Sequence, residues 1–492
     1  MSAQRPRSVP KPRSALVPLA AALLTISLAA CTGQKPADGA ATAPKPDVAA
    51  VTPPPAVCAA NPTWISSPNP PSEVAAAESF CDFYQFSWQW FLAQVSPAPD
   101  YQTSNERVFE TNRLHNPNVA KGQCSLPKIM GRAMAAKMLA LRVNKPQDFE
   151  DLQADGSALY DQHSNILRYS IWYSDAECQA TQAGYAPGTF EIKVSWKILT
   201  NPDTSYLTMQ TVLPGQQQPV TLGLVGFHIA NWTSKHPEMI WASFEHKTNA
   251  PLCDGSSPLP ASGWALASND AAACLTANPV GPGEPSSTAC AQFNFDTPDT
   301  FKGTPPPTNT PNNVCRQFAN GNQPGTSING NDNAANLLAI QQLNDQLVGA
   351  NGLLTNLPDT DPMAIWKNYE MIGGLWTKGG ADSGNLPVAS TQNGKIVPGD
   401  PTSPQRGSLL LTNMTMETFE QGDTSEVPNC FGCHNFSTTD PLDVSHICPS
   451  LYTFDPKNPF TCIAPPAPGA APPVETAAGS APKTAAAPAP KK

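Results

Sequence analysis

The stretch FEIKVSWKIL, Phe190 to Leu199, changes sides at every step: Phe190, Ile192, Val194, Trp196 and Ile198 form one row, and Glu191, Lys193, Ser195 and Lys197 the other. Successive side chains of an extended chain point to opposite faces, so this alternation predicts a half-buried β-strand. Other alternating or β-rich runs lie on either side of it. They are RYSIWYS (168–174), SYLTMQTV (205–212), VTLGLVGFHI (220–229), MIWASFEH (239–246) and SLLLTNMTMETF (408–419). Strands this frequent, separated by Pro-, Gly- and Asn-rich turns, predict an α+β, β-rich fold. Its expected form is an antiparallel β-sandwich-like body with added helices and long disulfide-pinned loops.

Two segments carry a helical period instead. From Ser72 to Val95, Phe80, Tyr84, Trp88, Phe91 and Val95 recur at spacings of three and four, Pro71-Ser72 offers a cap and Pro97 a stop. So aromatic a stripe reads as core. Further on, Asp332 is placed to cap a helix whose Leu337, Ile340, Leu343 and Leu347 line one face and whose end is Gly349. Between them, 251–330 is an irregular region rich in Cys, Pro and Asn.

The chain opens with Arg5, Arg7, Lys11 and Arg13 ahead of an apolar run from Ala15 to Ala30. That is the pattern of a signal peptide, 1–31. Its ending, Leu28-Ala29-Ala30-Cys31, resembles the lipobox of bacterial lipoproteins, which implies lipid attachment at Cys31. Thr32 in place of Asp implies the outer membrane. An ordinary secretory cleavage site is the alternative, and either way the expectation is export. A Pro/Ala tether (32–57) and a tail of like composition (464–492) bury too little apolar surface to fold. About 400 residues lie between them, divided into a β-rich body with its N-terminal helix (58–250), the irregular region, and a segment of helix, strand and motif (331–463). A net charge of −10 with 14% charged residues argues against nucleic-acid binding.

Near the end stands NCFGCHNF, Asn429 to Phe436. Cys430 and Cys433 bracket two residues, and His434 follows. Two thiols at this spacing suit the two vinyl groups of a porphyrin, with the adjacent histidine beneath the iron. With 13 Cys and 7 His in 492 residues, chance produces such a pattern about 0.005 times if positions are independent. Zinc is a second reading, since Cys430, Cys433, His446 and Cys448 form C-x₂-C-x₁₂-H-x-C, although His434 is then idle. A Cys430–Cys433 disulfide is a third. Ten further cysteines in an exported chain allow up to five disulfides. Nucleophile-elbow, P-loop, zincin and dinucleotide motifs are absent from the sequence.

With these residues in view the chain resembles a c-type cytochrome, in particular the large bacterial exported monohaem proteins called cytochrome c family proteins. The resemblance is carried by SFCDFYQFSWQWFLAQVSP (79–97), EIKVSWKIL (191–199), GLVGFHIANWTSKHPEMIWASFEHKTNAP (223–251), METFEQ (416–421), NCFGCHN and VSHI (444–447). It implies one covalent haem c on Cys430 and Cys433, with His434 as proximal ligand. It also implies extracytoplasmic electron transfer with a redox partner protein. No methionine follows His434, so His446 is the leading candidate for the sixth position, ahead of His228, Met414, Met416 or an open site. An open site would make a peroxidase-like enzyme or a gas-binding protein, and the group His228, His236, Trp241, Glu245 and His246 could furnish its polar side. A scaffold with structural haem or zinc is the remaining alternative.

Overall fold

Strand β3 (Phe190–Ile198) forms where the alternation places it, at the centre of the largest sheet in a computed structural model of the chain. The structure describes residues 57–111, 113–114, 153, 158–178, 185–213, 216–281, 290, 310–322, 331–379, 391–392, 395–396, 404–421, 429–434, 444–445, 453–455 and 458–463. The remaining sheet strands are β1 (Arg113–Leu114), β2 (Arg168–Tyr173), β4 (Thr208–Thr211), β5 (Val220–Asn231), β6 (Ile240–His246), β7 (Tyr369–Thr377) and β8 (Gln405–Gly407). Their order is β1-β2-β3-β5-β6-β7-β8, every pairing is antiparallel, and β4 joins β5 off that path. The sheet therefore draws strands from both the 58–250 and the 331–463 stretches.

The fold is α+β, rich in antiparallel strand and joined by disulfides, but the layer over the sheet is helical. Five of the six expected strands collect in one sheet, and helices α1 (Phe80–Val95) and α3 (Asn333–Val348) cover its apolar face. A third helix, α2 (Asn269–Ala277), belongs to the irregular region. Helix α1 starts eight residues later than the Pro71-Ser72 cap predicts. Ser79 is its true N-cap: the side chain accepts from the Asp82 N–H at 3.3 Å, and the Asp82 carboxylate accepts from the Ser79 N–H at 2.9 Å. Its buried surface also exceeds one stripe, because Phe83 and Phe86 are enclosed as well. Phe91 stacks on Phe244 of β6 at 3.9 Å, and Trp88 meets Phe244 edge-on at 4.9 Å. Helix α3 starts at Asp332, whose carboxylate accepts from Ala334 and Ala335 N–H, and ends at Gly349. It is tied to α1 where Tyr84 Oη donates to Asn336 Oδ1 at 2.5 Å.

The second row of β3 departs from the half-buried expectation. Glu191, Lys193 and Ser195 are 4%, 8% and 0% exposed. Residues 413–415 and 444–445 lie against that face, and the polar row holds them: Ser195 Oγ bonds Thr415 Oγ1 at 2.5 Å and Ser445 Oγ bonds Glu191. Residues 408–419, expected as a strand, form turns and a short 3₁₀ segment at Thr418–Glu420. The approach is so close that a Cβ at Gly226 of β5 would overlap Thr415 Oγ1.

Three disulfides lie among the described residues, Cys58–Cys81, Cys253–Cys315 and Cys274–Cys290. The last two pin the irregular region, as expected. Among the described residues no helix is long and apolar enough to cross a membrane.

Candidate functional site

The motif occupies one helical turn, α4 (Cys430–Cys433), and its preceding residue fastens that turn to the sheet. The Asn429 side chain accepts from the Phe431 N–H at 3.1 Å. Its Nδ2 donates to Gln405 Oε1 of β8 at 3.0 Å and to the Leu409 carbonyl at 2.9 Å. Phe431 is fully buried among Trp241, Leu409, Leu410 and Val444, and Cys430 packs against the same cluster. Polar cap and apolar anchor together fix where the turn sits and which way its next residue leaves.

That next residue is His434, whose N–H closes on the Cys430 carbonyl at 2.8 Å. Its half-buried ring lies against Trp241 of β6, with centroids 4.2 Å apart and planes tilted by 42°. Nδ1 is 2.9 Å from the Val444 carbonyl. A carbonyl can only accept, so Nδ1 carries the proton and Nε2 keeps its lone pair. An imidazole held by wall and tautomer in this way is prepared to ligate a metal through Nε2.

One residue beyond Val444, Ser445 Oγ lies 2.5 Å from Glu177 Oε1 and 2.7 Å from Glu191 Oε2, all three side chains buried. A hydroxyl donates once, so the second contact needs a proton on a carboxyl. Burial and the neighbouring charge of Glu191 push the Glu177 carboxyl well above its ordinary value, which supplies that proton.

The other sequence candidates do not converge on His434. His228 Nε2 is engaged by the two carboxylate oxygens of Glu417 at 3.1 and 3.0 Å. Burial works against ionisation of Glu417, but His228 and Lys193 beside it hold its carboxyl below the usual range. Met414 and Met416 are fully buried in a separate apolar cluster with Leu159, Tyr169 and Val314. His236 is enclosed, bonded to Glu238 at 2.9 Å and edge-on to Phe83. His246 stacks on Tyr206 at 4.0 Å, and burial lowers its pKa to about 3, leaving it neutral. Glu245 pairs with Arg316 at 2.7 Å. Of that group only Trp241 touches the motif histidine. His446, Cys448 and Cys31 lie outside the described residues.

No family model matches this chain, and neither does any curated protein or solved structure. Its function must be read from the site. Among the described residues no three His, Cys, Asp or Glu side chains come together as a metal cage. A cofactor carried mainly by covalent bonds, with a single histidine ligand, fits what is present. Asn429 adjoins the motif and Trp241 stands among the sequence candidates, but the turn's anchorage, the wall behind His434 and the Glu177–Ser445–Glu191 contact are created by tertiary packing and escape sequence reading. For 444–445 the sequence signal was the nearness of VSH to CxxCH.

Proposed function

We propose that Cys430 and Cys433 attach one haem c through thioether bonds, that His434 is an axial ligand, and that the protein transfers electrons outside the cytoplasmic membrane. The observation that carries this reading is the His434 imidazole at the end of the CxxC turn, set against Trp241 with Nδ1–H directed at the Val444 carbonyl, the tautomer in which Nε2 is the metal-binding nitrogen. When bound, the haem supplies a one-electron iron centre. The chain supplies orientation. Asn429 and Phe431 hold the turn that bears both thiols, Trp241 fixes the ring, and the Val444 carbonyl makes Nε2 a stronger donor. Disulfides suit the oxidising compartment that the signal peptide implies, with Cys31 as lipid anchor at the outer membrane and a redox protein as partner.

A pyridine haemochrome assay with intact-mass measurement tests this on protein made in a periplasm that matures c-type cytochromes. One covalent haem is expected, and Cys430→Ser with Cys433→Ser abolishes it. A wild-type mass without haem defeats the proposal.

A second reading is an open sixth position, since His228 is engaged by Glu417 and Met414 and Met416 are packed in a separate apolar cluster. On this reading the ferrous protein binds carbon monoxide without denaturation.

A further inference from the structure

A cavity of about 270 Å³ lies away from the motif, between the end of β6, the start of β7, helix α3 and the irregular region. The Cys253–Cys315 disulfide stands beside two of its wall residues, Leu252 and Arg316, and so fixes the two segments that carry them to each other. The volume exceeds the cavity of about 150 Å³ that accommodates benzene in another protein.

Its charges are arranged unevenly. Glu245 and Glu370 face each other directly across β6 and β7, a like-charge pair that costs stability. Glu245 is compensated: it takes Arg316 Nη2 at 2.7 Å, the Met414 N–H at 2.8 Å and Asn249 Nδ2 at 3.1 Å. Arg316 makes a second bond, to the Thr412 carbonyl. Lys247 donates to the Val348 carbonyl at 2.5 Å. The wall thus holds three carboxyl groups, counting Asp345, against two cations, while His246 is neutral. Burial pushes the Glu370 carboxyl up despite the pull of Lys247 and Arg316, so Glu370 is the wall group that a further cation would help most.

Two further features point to a ligand. Asn249 belongs to the wall and is 1% exposed, yet its Oδ1 accepts no hydrogen bond, and an unmet buried acceptor is costly. Trp264, another wall residue, supplies an aromatic surface that attracts cations.

We infer that this cavity binds a small organic amine in its ammonium form, seated between the Glu370 carboxylate and the Trp264 indole. The disulfide-pinned region thereby gains a role of its own, separate from the motif. Glu370 is retained opposite Glu245 because a bound cation separates the two charges.

Calorimetric titration of the full-length protein with methylammonium, butylammonium and phenethylammonium, each against the carboxylic acid of matching shape, tests the inference. At least one amine is expected to bind and its matched acid not to. Glu370→Gln should weaken that amine about tenfold or more, the effect expected for a lost charge-assisted contact. The same variant, without ligand, should melt higher than wild type, because the cross-strand repulsion is gone. Should Glu370→Gln not fold, the indole N–H resonance of Trp264 in the wild type, shifting with amine ahead of the other indoles, locates the site. Silence from all three amines, equal binding of the acids, or wild-type affinity in Glu370→Gln overturns the inference. Replacing Cys430 and Cys433 by Ser leaves the amine titration unchanged, which separates this site from the haem reading.

Discussion

Ser445 has one hydroxyl proton and two carboxyl neighbours, so a second proton must reside on Glu177 or Glu191. Glu177 is raised by burial and by Glu191. A carboxyl raised on folding stabilises the fold below its unfolded value, and that stability is lost as pH rises through the folded value. Glu177→Gln keeps a donor there at every pH. It should flatten the loss of melting temperature on the alkaline side, and an unchanged pH profile would refute the shared proton. Glu110 gives a window with numbers. Burial raises it to about 7, against the lowering effect of the Arg107 N–H. About 3 kcal/mol of stability present near pH 4.5 should therefore fade by about pH 7, and urea titrations of Glu110→Gln should lack that slope. At the motif, Trp241→Ala removes the wall behind His434 and should cost about 3–5 kcal/mol. If haem is bound, its spectrum should become heterogeneous as the ring gains freedom. His446→Ala should remove low-spin character from the same spectrum if His446 is the distal ligand; an unchanged spectrum would exclude it.

Among the elements, β3 shows how far a sequence pattern reaches. Its alternation was legible and so were the Asp332 cap and Gly349 stop of α3, because each depends on neighbours in the chain. Strand β7 was not: Gly373 and Gly374 interrupt its apolar run, and both are required by packing, since a Cβ on Gly373 would overlap Ser408 Oγ. Residues 408–419 made the opposite error. Their Thr and Met residues read as strand, but their backbone and side chains bond Ser195, Glu245 and Arg316 in place of a ladder. The motif itself was legible as a spacing, while the roles of its supports from β6 and from 444–445 were not, because packing creates them. Gly226→Ala tests the close approach: it should cost about 1–3 kcal/mol by overpacking, read by chemical denaturation. Removing the Cys253–Cys315 disulfide as a double Ala variant should cost about 3–4 kcal/mol.

Among the described residues, all of them beyond residue 56, three layers are present: helices, sheet, and a third of largely irregular chain that carries the motif. The helical contact is apolar and aromatic, whereas the contact with the third layer mixes an apolar cluster with hydrogen bonds to buried Glu191, Ser195, Ser243 and Glu245. Bonds of the second kind have value only once both partners are in place and water is excluded. The order of assembly follows. Helices and sheet can form first, driven by apolar burial, and the described segments 408–421, 429–434 and 444–445 dock on them afterwards. If Cys430 and Cys433 carry a haem, as proposed, its attachment would fall most easily in the interval before that docking, which the protein's own folding sets.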